Sequence, residues 1–402
     1  MVVLLTLAMA LPVVTGCDDE TTDGDADSDV DGDGDGDADG DGDADTDGDA
    51  DGDGDADGDG DADADLDGDE DADGDTDEDG DGEVGPQCHP TAGAEPFELD
   101  PAYCVVWRAT LASSADSVVL SGPTTLLAHG FADREVVEVE IDAVAGSEAG
   151  RDTVGIYEPS LEGDLWVSSY LAATPWGEAA VGYTNSAMSG EVFAFDSREE
   201  GHVTMLAPGN YAAAWLDEAE LLVDGLGLAG VGAGHGLYLA RIGDEGAEAI
   251  QVVSGLLDYS APLAAGLDVV VAGGNDLSTN RLFAFSAHEI DAAAGGSTVL
   301  DAAAAGDVVY EGSIIFAGNG IALDGTTLYV ADAPGFAFAT LHVIPLILDG
   351  DSVTAGTPAV ALAVGADAAD TVLGLSTHAG LLGVHARVDE TTVFMALMER
   401  PE

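Results

Sequence analysis

From residue 85 to residue 402 the apolar positions fall into short runs broken by Gly, Asp, Asn and Pro. Runs of that kind, bounded by turn residues, predict β-strands, and helical periodicity is scarce. The strands recur in sets. Six times a strand is followed closely by a second and then a third. The second strands are expected at Thr125–His129, Glu178–Tyr183, Glu220–Asp224, Asp268–Ala272, Thr327–Ala331 and Gly380–His385. The third strands are expected at Val136–Ile141, Val192–Asp196, Leu237–Arg241, Leu282–Ser286, Leu341–Leu346 and Val393–Leu397. Small-residue first strands precede them, as at Tyr211–Trp215, Tyr259–Leu263, Ser313–Ala317 and Thr371–Leu375. Fourth strands follow at Val203–Leu206, Ile250–Val253, Thr298–Leu300 and Ala359–Ala363.

Leu126, Ala179, Leu221, Val269, Leu328 and Leu381 mark corresponding points, spaced 42 to 59 residues apart. Four short strands per repeat of that length are the signature of a propeller blade. The expected fold is therefore all-β, a six-bladed β-propeller. A seven-bladed ring with one degenerate blade and a pair of β-sandwiches remain as alternatives. The sixth unit has no room for a fourth strand, whereas the strand-like segment Cys104–Leu111 has no partner of its own. We expect this N-terminal strand to complete the last blade and so remove an open sheet edge.

The repeats resemble the group of six-bladed propellers that includes NHL-repeat proteins, with Leu328-Tyr329-Val330-Ala331-Asp332 typical of it. The Gly-His…Trp-Asp pattern of WD repeats is absent. The diglycines Gly273-Gly274 and Gly295-Gly296 do not recur with the period, as kelch repeats would require.

Ahead of this segment the pattern changes completely. Every odd position from Asp23 to Asp81 is aspartate, thirty in all, with mainly Gly and Ala between them. In an extended chain neighbouring carboxylates lie about 6.6 Å apart, inside a Debye length of about 8 Å, so they repel one another. With almost no apolar surface to bury, the stretch reads as a disordered, solvated tether. A neutral chain of this length spans roughly 45 Å, and repulsion extends it. An EF-hand loop needs Gly at its sixth position and Glu at its twelfth. Loops ending at Glu70 or Glu78 place Ala64 or Ala72 sixth, so neither fits. Weak, diffuse association of Ca²⁺ with the tether is the expected cation chemistry there.

The first residues, Val2 to Val14, form an apolar run suited to a signal peptide and too short to span a bilayer. Val14-Thr15-Gly16-Cys17 resembles the bacterial lipobox, which implies lipidation at Cys17. The apolar run lacks the usual preceding Lys or Arg. The resulting plan is a lipoprotein signal peptide (1–16), an Asp/Gly-rich tether (17–84) and a propeller domain (85–402). It resembles the surface lipoproteins of myxobacteria and related bacteria. The implied location is membrane-anchored, periplasmic or at the cell surface, with the lipid bilayer as a partner through Cys17.

Charge narrows the chemistry. Of 80 acidic residues, 36 lie between Asp18 and Glu83, and the rest leave a net of about −36 on the C-terminal segment. Such a surface repels nucleic acid. All eight basic residues are Arg, which excludes Schiff-base lysines and P-loops. In an oxidising compartment Cys88 and Cys104 read as one disulfide.

Propellers bind ligands at the mouth of the central channel. Similar six-bladed lactonases hold calcium there with Glu, Asn and Asp, and Asn275, Asp276, Asn280, Asn319 and Asp324 are the matching candidates. All sit in turn-like stretches, where Asn and Asp are favoured on conformational grounds alone. His129, His235, His378 and His385 lack zinc spacing, and no G-x-S-x-G elbow is present. No catalytic residue is assigned. Trp107, Trp166, Trp176 and Trp215 are candidates for recognition; Trp176, if it lies in the turn before a second strand, projects near a propeller face and serves in binding, whereas packing between blades is the alternative role. The sequence points first to a lipid-anchored, non-enzymatic module for a protein or carbohydrate ligand. The alternatives are a metal-dependent hydrolase or lactonase at the channel mouth, and a structural or adhesive surface protein.

Overall fold

The computed structural model describes residues 86–401 apart from 113–114, 131–133, 159–165, 175–177, 186–189, 197–202, 207–209, 226–234, 244–245, 257–261, 276–279, 297, 315–318, 334–337, 339 and 365–370. Cys17, the Asp23–Asp81 stretch, Trp176 and Asp276 lie outside the described residues.

After β1 (Phe97–Leu99) and β2 (Tyr103–Thr110), the strands form six antiparallel units. Unit I is β3 (Ser117–Leu120), β4 (Thr125–His129), β5 (Glu135–Asp142) and β6 (Ser147–Ile156). Unit II is β7 (Trp166–Ala173), β8 (Glu178–Asn185), β9 (Gly190–Asp196) and β10 (Val203–Leu206). Unit III is β11 (Ala213–Trp215), β12 (Glu220–Gly225), β13 (Gly236–Gly243) and β14 (Gly246–Ser254). Unit IV is β15 (Leu263–Ala265), β16 (Val269–Asn275), β17 (Asn280–Ser286) and, beyond α1 (Ala287–Gly295), β18 (Leu300–Asp301) and α2 (Ala302–Ala305), its outer strand β19 (Asp307–Gly312). Unit V is β20 (Ile321–Asp324), β21 (Thr327–Asp332), β22 (Thr340–Asp349) and β24 (Ala359–Val364), with β23 (Ser352–Ala355) folded back on β22. Unit VI is β25 (Thr371–His378), β26 (Leu381–Val388) and β27 (Thr391–Glu399).

The innermost strands touch in the order β3, β7, β11, β15, β20, β25 and back to β3, which closes a propeller ring. Second strands such as β12 are buried on both faces, so their side chains alternate between two neighbouring blades. Leu221 and Val223 of β12 pack towards unit II, while Leu222 between them packs towards unit IV. Six apolar clusters result, each joining consecutive units; the last joins Leu381, Phe394 and Trp107 to Val118, Leu126 and Val139 of unit I.

The expected closing strand is present. β2 runs antiparallel to β27 from Tyr103↔Glu399 to Thr110↔Val393 and is the fourth strand of unit VI. A disulfide joins Cys88 to Cys104 at the head of that strand. β1 extends unit V by pairing with β24, a role the sequence pattern did not reveal.

Three expectations are corrected. The first strand of unit V is Ile321–Asp324, not Ser313–Ala317, where Ile314 forms only an isolated bridge to Asp332. The fourth strand of unit IV is not at Thr298–Leu300; Leu300 and Asp301 pair parallel with β14 of unit III. Between β17 and β18 stands a helix, α1, started by Ser286 and Glu289, whose side chains cap each other's backbone N–H. Its Ile290, Ala293 and Ala294 are buried in the cluster between units III and IV.

Candidate functional site

The six inner strands surround a cavity of about 120 Å³, lined mainly by Ala, Leu and Val side chains. Ligand pockets for drug-sized molecules run to roughly 300 Å³ and above. This channel has room for a few waters.

Hydroxyl side chains stitch its wall, because inner strands of neighbouring blades share no ladder. Leu171 N donates to Ser117 Oγ at 3.1 Å and Leu120 N to Ser376 Oγ at 2.9 Å; Thr377 Oγ1 donates to Leu323 O at 2.7 Å. Asn319 goes further. Its Nδ2 donates to Leu171 O at 3.1 Å, so it joins unit V to unit II, which lie opposite each other in the ring. Its own carbonyl accepts from Leu375 N at 2.7 Å. Asn319 is a strap across the channel.

The described metal candidates lie at strand ends. Asn319 precedes β20 and Asp324 ends it, in the turn to β21. Asn275 and Asn280 face each other as the last ladder pair of β16 and β17. Asp276 and the Asn275 side chain lie outside the described residues, and among the described residues no three His, Cys, Asp or Glu side chains gather into a metal site. Trp107 is a packing residue: it stacks on Phe394 with ring centroids 5.7 Å apart and donates Nε1–H to Pro123 O at 2.8 Å. Trp215 lies in the cluster between units II and III.

Polar side chains concentrate instead beneath one end of units I to III, the end where second strands lead to third strands. His129 closes β4, and the Tyr157 hydroxyl lies 3.2 Å from its Nε2. On β8 and β9 the Tyr183 hydroxyl donates to Glu191, and burial together with that carboxylate pushes its pKa upward. Thr184 donates its hydroxyl to the carbonyl of Asn210.

In unit III, Asp224 near the end of β12 accepts through Oδ1 from Tyr211 N at 2.9 Å and Ala212 N at 2.7 Å. It thereby fixes the chain entering β11. Its Oδ2 lies 3.6 Å from His235 Nε2, with side-chain exposures of 2% and 3%. The Tyr170 hydroxyl, Asp224 Oδ2 and both amide atoms of Asn210 have no hydrogen-bond partner among the described residues. They are neighbours all the same. Burial raises the Tyr170 pKa well above its usual value, Asp224 raises it further, and Asn210 opposes the shift.

The other two histidines lie elsewhere. His385 is buried in β26 of unit VI, and burial, assisted by Arg387, lowers its pKa to about 3. His378 sits at the opposite end of that unit, beside the β25–β26 turn, with its pKa lowered by burial. His235 stands out in the sequence as a histidine beside an expected strand, but its partners do not. Asp224 was visible there only as the end of an expected strand, and nothing local marks Tyr170 or Asn210.

No protein-family model and no curated protein matches the chain. Solved structures similar to it include the aldose sugar dehydrogenase of Streptomyces coelicolor, with 15% identity and a TM-score of 0.46 over 76% of this chain and 99% of that one. The soluble aldose sugar dehydrogenase of Escherichia coli is similar at 9% identity and a TM-score of 0.42, over 76% and 100% of the two chains. The periplasmic gluconolactonase of Pseudomonas aeruginosa is similar at 16% identity and a TM-score of 0.38, over 68% and 75%. The fold assignment rests on the strand ring itself.

Proposed function

We propose that the chain is an exported, lipid-anchored binding module whose ring takes a small polar ligand of the carbohydrate class over units I to III. The observation that carries this reading is the set of buried polar side chains under that face. Burying polar atoms without partners costs stability, so a fold retains them where they are used. Carboxylate, amide and phenol groups, with aromatic rings beside them, suit a ligand rich in hydroxyls. The negative charge of the segment favours neutral ligands over anionic ones.

The anchor rests on Val14-Thr15-Gly16-Cys17 at the end of an apolar run. The Cys17→Ser variant is expected in the soluble fraction or unprocessed. Normal processing with unchanged membrane association overturns the anchor.

Binding is tested by calorimetry with neutral aldoses and aldonolactones, the compounds the similar proteins act on by name. Tenfold weaker binding is expected in Asp224→Asn. If neutral sugars do not bind and acidic peptides do, the carbohydrate reading fails.

A second reading is a metal-dependent hydrolase of sugar lactones at the same face, favoured by one observation, the buried Asp224–His235 pair. Lactone hydrolysis that disappears in His235→Gln would establish it.

A further inference from the structure

Asp224 is a buried carboxylate with half of its bonding capacity unexplained. Oδ1 is engaged by two backbone N–H groups, whereas Oδ2 meets no hydrogen-bond donor among the described residues. No arginine pairs with it there; the described arginine pairs are with Glu148, Glu220 and Glu311. A buried carboxylate needs compensating charge or donors. Its ion-pair partner among the described residues, His235 Nε2, lies at 3.6 Å, beyond hydrogen-bond length. Two ligands bound to one ion at about 2.0–2.2 Å each reach that separation readily. The buried Tyr170 hydroxyl lies near both Asp224 and the buried Asn210 amide.

We infer that Asp224 Oδ2 and His235 Nε2 share a first-row divalent transition-metal ion at the loop end of unit III, with Asn210 and Tyr170 as the nearby oxygen donors. A mixed imidazole and oxygen set selects a zinc-like ion over calcium or magnesium, which take oxygen alone. The site differs in residues and place from the channel-mouth set considered above. The surrounding negative charge raises the local cation concentration. The inference extends the hydrolase reading but needs no substrate, since the ion binds without one. Loss of that reading leaves the metal site standing, and the reverse also holds.

The test uses the full chain, stripped with chelator and titrated with cobalt(II) as the probe. Aspartates in the Asp23–Asp81 stretch offer only oxygen ligands and give weak visible absorption, so their uptake is separable from an imidazole-containing site. One equivalent of a stronger cobalt band, displaced by zinc, is expected in the parent. It should vanish in His235→Gln and Asp224→Asn, with folding checked by circular dichroism. His235→Cys should retain binding and shift absorption to a thiolate charge-transfer band, a gain of signal that misfolding cannot imitate. No such band in the parent, or an identical band in all variants, overturns the inference and leaves water between these groups.

Discussion

Units VI and I meet through Leu381, Phe394, Ala396 and Trp107 packed on Leu126, Val137 and Val139, with the outer edge of β27 paired along β2. Units II and III also meet through apolar side chains, Ala180 and Val192 against Leu221, Val223 and Tyr238. Towards the loop end, however, that packing gives way to Tyr170, Thr184, Asn210, Asp224 and His235. One junction is closed by a strand ladder as well as by packing; the other ends in a polar group in which Asp224 Oδ2 and the Asn210 amide have no hydrogen-bond partner among the described residues. The difference teaches where to look for function in a ring of similar blades: at the junction whose chemistry departs from packing.

The largest expected effect breaks the closed junction. Deleting residues 85–112 removes β1, β2 and the disulfide and bares the backbone of β27. The exposed edge should pair between molecules, so size-exclusion chromatography should show aggregates. Replacing Cys88 and Cys104 by Ser alone should cost about 3 kcal/mol and leave a monomer, because the β2–β27 ladder remains. A soluble, cooperatively folding deletion variant would mean that the ring does not depend on β2.

A smaller effect tests a buried histidine in unit VI. His385 has a folded pKa of about 3, against about 6.5 in an unfolded chain. Between those values only the unfolded state takes the proton. The contribution to stability is therefore complete above about pH 6.5 and is lost as pH falls towards 3, at up to about 1.4 kcal/mol per unit. Urea denaturation at pH 7 and pH 4 should show the parent losing about 3 kcal/mol more than His385→Gln. Equal losses would mean that His385 is not held neutral.

The smallest expected effect lies at the open junction. The Tyr170 hydroxyl has no hydrogen-bond partner among the described residues, so Tyr170→Phe should change stability by less than about 1 kcal/mol, in either direction. Ligand or metal affinity should fall all the same. A loss of several kcal/mol would show that the hydroxyl supports the fold and would remove the contrast between the two junctions.

Much of the ring was legible from local pattern. Thr125–His129 is found as expected, and so are the cores of the other second and third strands, because an apolar run bounded by turn residues specifies a strand without outside help. The closing strand followed from counting: one unit lacked a strand and one strand lacked a unit. Errors arose where context overrode local preference. Ser313–Ala317 has the small residues of an inner strand, yet Ile321–Asp324 takes the place in the ring. Ser286 and Glu289 form a helix-start signature that the surrounding strand pattern hid.

The sequence by itself determined the apolar run ending before Cys17, the alternating aspartates and their repulsion, the repeated strands and the cysteine pair. Each depends on neighbours within a few residues or on composition. Only the tertiary structure decided that Asn319 spans the channel to Leu171, and that Tyr170 of one blade lies beside Asn210 and Asp224 of the next. Those residues are brought together by the way twisted blades stack around a ring, and no spacing along the chain encodes that angle.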